Sequence, residues 1–129
     1  MAGNALGLLG IARKGGRLEV GEEPVGAAAQ AGKARLIILA SDAAEHTVRK
    51  ANSYASLHDS PVISLEEDRD ALGAVFGRNS VAMICLTDIQ LAKQFLERLG
   101  QPEKYGEVLS RVSEKAARMQ ERKRTRGRK

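Results

Sequence analysis

Two segments, Ala34–Ala40 and Ser80–Leu86, contain unbroken apolar runs, Leu36 to Ala40 and Val81 to Leu86, rich in Ile, Leu and Val. Successive side chains of a strand point to opposite faces, so a strand apolar at every position must be covered on both. Central strands of a layered α/β sheet meet that requirement, and a sheet with one wet face does not. Two shorter segments, the alternating Arg17–Val20 and the run Pro61–Ser64, supply two further strands. Neither long run approaches the roughly 20 apolar residues that span a bilayer.

Between the strands stand helix-start signals in which a side-chain acceptor is followed three positions later by Glu or Gln. Asp42-Ala-Ala-Glu45, Ser64-Leu-Glu-Glu67 and Thr87-Asp-Ile-Gln90 all have this form. After the first strand, Gly21-Glu-Glu-Pro24 places two carboxylates at the positive end of a helix dipole and a proline in the first turn. Apolar spacing supports the helices that follow: Thr47, Val48, Ala51, Tyr54 and Ala55 in one, Ala92, Phe95, Leu96 and Leu99 in another. A leading helix is expected over Asn4 to Lys14, and a charged helical stretch over Glu103 to Gln120. The expected architecture is a three-layer α/β/α sandwich with a mixed four-stranded sheet. Residues 1–102 form its domain, followed by a helical extension and basic tail over 103–129. At 129 residues the chain buries about 65–70% of its unfolded surface without disulfide or metal support. The lone cysteine and a start unlike a signal peptide point to the cytoplasm.

The net charge of +5 is unevenly placed. Residues 118–129 carry seven basic residues, Arg118, Arg122, Lys123, Arg124, Arg126, Arg128 and Lys129, against Glu121, while residues 1–117 hold 14 bases and 15 acids. The tail is expected to be solvated and mobile, serving either as a phosphate contact or as a solubilising end.

Enzyme and cofactor signatures are absent from the sequence. Gly7, Gly10, Gly15 and Gly16 precede the first strand and lack dinucleotide-binding spacing, and no phosphate-loop motif occurs. The Gly7-x-x-Gly10 spacing matches a KH-type loop but falls within a helical pattern, where it predicts close helix packing. His46 and His58 lack a matching ligand set and read as surface or cap residues. Cys85 sits inside an apolar run with no charge beside it and reads as core. The cluster Glu66-Glu67-Asp68-Arg69-Asp70 fits a helical first turn without a metal. The expectation is no cofactor, no metal, no small-molecule substrate and no membrane.

The segments Leu8 to Val25, Gly32 to Asp42, Leu72-Gly73 and Val81 to Asp88 together resemble the ribosomal protein superfamily that binds kink-turn RNA, the "L seven Ae" group. Within it the likeness is to the bacterial YlxQ-type proteins; it covers about residues 5–100. The resemblance implies a non-enzymatic RNA-binding module, ribosome- or translation-associated, with RNA as partner and ribosomal or translation-factor proteins as further candidates. It also implies a contact surface made of the helix start after the first strand, G-x-N-E-x-x-K in the family's RNA binders, and the loop before the last strand.

In this sequence Gly21 matches that motif, whereas Glu23, Pro24 and Ala27 stand at its Asn, Glu and Lys positions. Carboxylates at Glu22 and Glu23 repel phosphates, although Glu23 can accept from a guanine edge. Gly21–Pro24 therefore reads as a helix start, an RNA contact or a site for another ligand. The altered motif and near-neutral globular part also fit an adaptor that keeps the fold and binds protein instead. In the second loop, Arg78 and Asn79 are the candidates for phosphate or base contact. Phe76 reads either as core or as an apolar contact near nucleotides. Arg13, Lys14, Arg17, Lys33 and Arg35 read either as solvated charge or as phosphate contacts.

Overall fold

The computed structural model describes residues 2–127. Its elements are α1 (Ala2–Lys14), β1 (Leu18–Val20), α2 (Glu22–Gln30), β2 (Leu36–Leu39), α3 (Glu45–Ser56), β3 (Val62–Ser64), α4 (Arg69–Val75), β4 (Met83–Leu86), α5 (Ile89–Leu99) and α6 (Pro102–Gly127). The strands lie in the order β1-β4-β2-β3. β4 is antiparallel to both of its neighbours, and β2 and β3 are parallel. The sheet is mixed and four-stranded, as expected.

The two continuous apolar runs are its central strands, and their side chains divide between two cores. Leu36, Ile38, Ile84 and Leu86 face α1, α4, α5 and α6, in a cluster that includes Leu9, Leu72, Phe95, Leu96 and Val112. Ile37, Leu39, Met83 and Cys85 face α2 and α3, against Val25, Ala29, Ala51 and Ala55. The alternation within each run thus produces the three layers, helices covering both faces of one sheet.

Several expectations are corrected. Two of the helix starts lie elsewhere: α3 begins at Glu45 behind Ala44 with no side-chain cap, and α4 begins behind Asp68, whose carboxylate accepts from the Ala71 N–H at 2.8 Å. Asp42 is instead drawn across to Arg69, accepting from its backbone N–H at 2.8 Å and pairing with its guanidinium at 3.3 Å. At α5 the capping side chain is Asp88, one residue after Thr87; it accepts from the Gln90 and Leu91 N–H groups.

Gly7 and Gly10 do not mediate close packing, since a Cβ at either would meet nothing within 4 Å. They face outward on α1.

The basic tail does not fray after Gln120; residues 118–127 continue α6. Arg, Lys, Gln, Glu and Met are strong helix formers, so intrinsic propensity carries the helix outward once packing has nucleated it. The packing comes from Tyr105, Val112 and Ala116, with Met119 half-buried against the same core. Gln90 donates from its side chain to the Ala116 carbonyl at 3.2 Å, and Arg124 pairs with Glu121 at 3.6 Å. Tyr105 donates to the Ser64 carbonyl at 2.7 Å, tying the start of α6 to the edge strand β3. Arg128 and Lys129 lie outside the described residues.

Candidate nucleic-acid interface

The strand directions set which loops meet. β1 and β2 both run opposite to β4, so residues after β1 and β2 share a sheet end with those before β4. That end holds Gly21 and Glu22 at the start of α2, the Ser41–Ala44 turn after β2, and the loop from Phe76 to Ala82. Gly21, Glu22, His46, Arg69 and Arg78 line one open cleft there, of about 310 Å³.

Backbone geometry fixes both walls. Gly21 has φ 102°, a conformation that side-chain-bearing residues rarely adopt, and its N–H donates to the Met83 carbonyl at 2.8 Å. The turn from β1 into α2 is thereby pinned to β4. Opposite it, Gly73 lies against the second loop so closely that an added Cβ would stand 2.7 Å from the Arg78 carbonyl oxygen and 2.9 Å from the Ser80 nitrogen. The Arg78 N–H donates to the Gly73 carbonyl at 2.9 Å, and the Val81 N–H to the Arg69 carbonyl at 3.0 Å. The loop that presents Arg78 is therefore held by α4 at both of its ends.

The charges of this end are mostly paired. Glu22 turns away from solvent toward α3: Thr47 Oγ1 donates weakly to Oε2 at 3.4 Å, and Lys50 Nζ lies 3.3 Å from Oε1. Oε1 is shielded from solvent and makes no hydrogen bond among the described residues, so Lys50 offers it charge attraction without a well-directed bond. Asp42 is held below the ordinary carboxylate range. Desolvation opposes that shift, and the hydrogen bonds and positive charge of Arg69 outweigh it. Glu23, Arg78 and Asn79 remain exposed; Arg78 lines the cleft, and Glu23 and Asn79 stand next in sequence to its lining residues Glu22 and Arg78. The start of α2 has no side-chain cap, and Pro24 contributes no donor to it.

The remaining candidates lie elsewhere. Arg13 and Lys14 end α1 and line a shallow surface with Gly7, Gly10, Val75 and Phe76. Phe76 is half-buried against the core, with the Arg13 guanidinium 5.9 Å from its ring centroid. Its ring packs partly on the core and partly meets solvent. Arg17, Lys33 and Arg35 precede β1 and β2 and so occupy the opposite end of the sheet from Gly21 and Arg78. Arg17 pairs there with Asp88 at 3.8 Å. Arg118, Arg122, Lys123 and Arg124 are exposed along the outer part of α6. Arg126 falls within α6 too, but the description of side chains ends before it.

Sequence reasoning missed Lys50 and Arg69, which pair with the acids of the first end, and Arg111 and Lys115 on α6. The first two carry no local signal, because their partners are 28 and 27 residues away in the chain. Arg111, Lys115 and Arg118 stand at i, i+4 and i+7, a spacing that puts them on one helix face once α6 is assumed.

Cys85 is fully buried, and burial, then the nearby Glu19 charge, push its thiol up to about 12. A thiolate nucleophile at neutral pH is thereby disfavoured. Among the described residues no three His, Cys, Asp or Glu side chains converge to hold a metal ion, and no helix is long and apolar enough to cross a membrane.

Comparison with known proteins agrees with this geometry. No curated protein matches the chain. A solved structure described as a protein with unknown function from Bacillus halodurans is similar, with a TM-score of 0.64 and 33% identity. The match covers 70% of this chain and 91% of that one. The sequence profile of the ribosomal protein L7Ae/L30e/S12e/Gadd45 family matches residues 4–95, from α1 into α5. The chain belongs to the ribosomal protein L7Ae/L30e/S12e/Gadd45 family.

Proposed function

We propose that the chain is a non-enzymatic RNA-binding protein in ribosome- or translation-related work, contacting structured, kink-turn-like RNA through the Gly21–Arg78 end of the sheet. The observation that carries this reading is the meeting, at one cleft, of the α2 start and the loop before β4 in a chain of this family. Arg78 supplies a cation and a planar stacking surface, Asn79 a donor and an acceptor, and Glu23 an acceptor for a guanine edge. The α2 start adds backbone amides.

Glu23, Pro24 and Ala27 weaken kink-turn recognition by removing an amide side chain, a well-placed acceptor and a cation. The test is the triple variant Glu23→Asn, Pro24→Glu, Ala27→Lys, titrated with a kink-turn RNA and an unrelated stem-loop. Direct base contacts are worth about 1–3 kcal/mol each in duplex DNA, so selective affinity for the kink turn should rise by one to a few decades. An unchanged affinity in a folded triple variant would move the determinants away from this end. Failure of the wild-type protein to bind either RNA would favour the protein-binding adaptor.

A further inference from the structure

At the opposite end of the sheet, the residues before β2, the loop after α3 and the middle of α6 enclose a cavity of about 200 Å³. Arg35 enters it from the sheet, and Arg111, Lys115 and Arg118 from one face of α6, with His58 and Ser60 on the loop side. Two acids share the lining, Asp59 and Glu114. Asp59 is committed to Arg111, at 3.6 Å, and points out of the mouth with its side chain 98% exposed. Among the described residues no carboxylate lies within ion-pair distance of Arg35, Lys115 or Arg118.

Arg35, Lys115 and Arg118 are thus gathered without ion-pair partners among the described residues, the Asp59 carboxylate offering Lys115 only a longer-range attraction. Burial first, then the like charges of Arg35 and Arg118, push the Lys115 ammonium below its ordinary value. A bound anion would relieve that repulsion.

The cations also continue beyond the cavity. A second cleft shares Arg35 and adds Lys123 from the next part of α6, together with the Asp88 carboxylate, which pairs with Arg17. Arg111 to Lys123 is about 18 Å along a helix at 1.5 Å per residue. One nucleic-acid strand presents a phosphate about every 3.4 Å of axis, so this track matches several successive phosphates better than a single one. α6 lies beyond the residues matched by the family profile, so the surface is an addition to the shared fold.

We propose that this end of the sheet, built by Arg35 and the Arg111–Lys115–Arg118 face of α6, is a second RNA-contacting surface that holds the phosphates of a separate RNA segment. The protein then bridges two segments, one at each end of the sheet. The identity of the polyanion rests on the RNA reading above; the anion site itself does not.

The test uses the full chain and fluorescence anisotropy with a labelled kink-turn RNA, a plain stem-loop and a twelve-nucleotide oligouridylate, across a series of potassium chloride concentrations. Neutralising two contacts, Arg35→Ala with Lys115→Ala, should weaken the oligouridylate by about ten- to hundredfold near 0.1 M salt and leave the affinity for the kink-turn RNA, held at the other end, within about threefold. It should make the oligouridylate's slope of log affinity against log salt shallower by about 1.4, while leaving the kink turn's slope unchanged. Lys115→Arg should retain binding. Protein saturated with kink-turn RNA should still take up the oligouridylate, and the double variant should not.

Unchanged oligouridylate affinity and slope in a double variant with wild-type circular dichroism would overturn the proposal, as would mutual exclusion of the two RNAs on the wild-type protein. Inorganic pyrophosphate, followed by amide chemical shifts of residues 34–35 and 111–118, separates the two readings. Shifts there in a protein that binds none of the RNAs would refute both the RNA reading and this assignment to RNA, leaving a site for phosphates of another source.

Discussion

The two ends of the sheet present their cations in opposite ways. At the Gly21 end, Arg69 is tied to Asp42 and Lys50 to Glu22, so Arg78 stands exposed beside a shaped cleft with little excess charge around it. At the Arg35 end, pairs join Arg111 to Asp59 and Arg17 to Asp88, and Arg35, Lys115 and Arg118 face a cavity without ion-pair partners among the described residues. Under the proposed function the first end reads shape and base edges, and under the further inference the second holds phosphate charge. The contrast teaches that pairing across the fold, which a count of Lys and Arg does not register, decides which surface is electropositive.

The largest expected effect removes the comparison altogether. Phe95 is fully buried on α5, in the cluster that joins α1, α4 and α6 to the sheet. Phe95→Ala should cost about 3–5 kcal/mol, and both ends should fail together in a thermal melt followed by RNA binding. Loss of one end alone would show that the ends are supported independently.

Gly73→Ala should act on the first end only. Its new Cβ meets backbone, the Arg78 carbonyl, and backbone cannot swing aside as a flexible side chain can. Overpacking of this kind costs about 1–3 kcal/mol, which outweighs the roughly 1 kcal/mol of helix propensity that Ala adds over Gly. A lower urea midpoint is expected, with weaker discrimination between RNAs and an unaltered salt slope. A stabilised protein would mean that the loop yields easily.

Tyr105→Phe should touch the second end, by deleting the hydrogen bond that ties α6 to β3. The Ser64 carbonyl loses its donor and stability falls by about 1 kcal/mol, with faster amide exchange along α6 than along α2. Equal acceleration in both helices would indicate a global effect.

The smallest effect is pH-dependent. Because the folded-state pKa of Asp42 is lowered, its contribution is present above the unfolded value near 4 and is lost as pH falls through the folded value. Asp42→Asn should therefore be less stable than wild type at neutral pH, the difference shrinking toward zero in acid. A constant difference at every pH would assign the loss to something other than charge.

The layers of the fold were legible in the sequence, since Leu36–Leu39 and Met83–Leu86 are apolar at every position and each must be covered twice. Helix starts were less so. An acceptor three residues before a Glu satisfies the local pattern at Asp42 and Ser64, but Asp42 finds a better partner in Arg69, 27 residues away. The expectation that the helix frays after Gln120 weighs the tail's composition apart from the fold, whereas α6 runs on to Gly127. Met119 and Ala116, packed on the core, supply the nucleus from which the charged turns continue. Of the candidate site, the α2 start and the Arg78 loop were identified from the family resemblance, while Lys50, Arg69, Arg111 and Lys115 were not.

The sequence by itself determined the alternation of strands and helices, the two buried central strands and the family, because each is written in local periodicity or in contiguous motifs. The tertiary structure alone decided which charges meet. The antiparallel placement of β4 between β1 and β2 sends Gly21 and Arg78 to one end of the sheet, and Arg17 and Arg35 to the other. The packing of α6 on α5 then brings Arg111, Lys115 and Arg118 over the Arg35 end. Charge interactions depend on separation in space, and that separation is set by strand direction and helix packing rather than by distance along the chain.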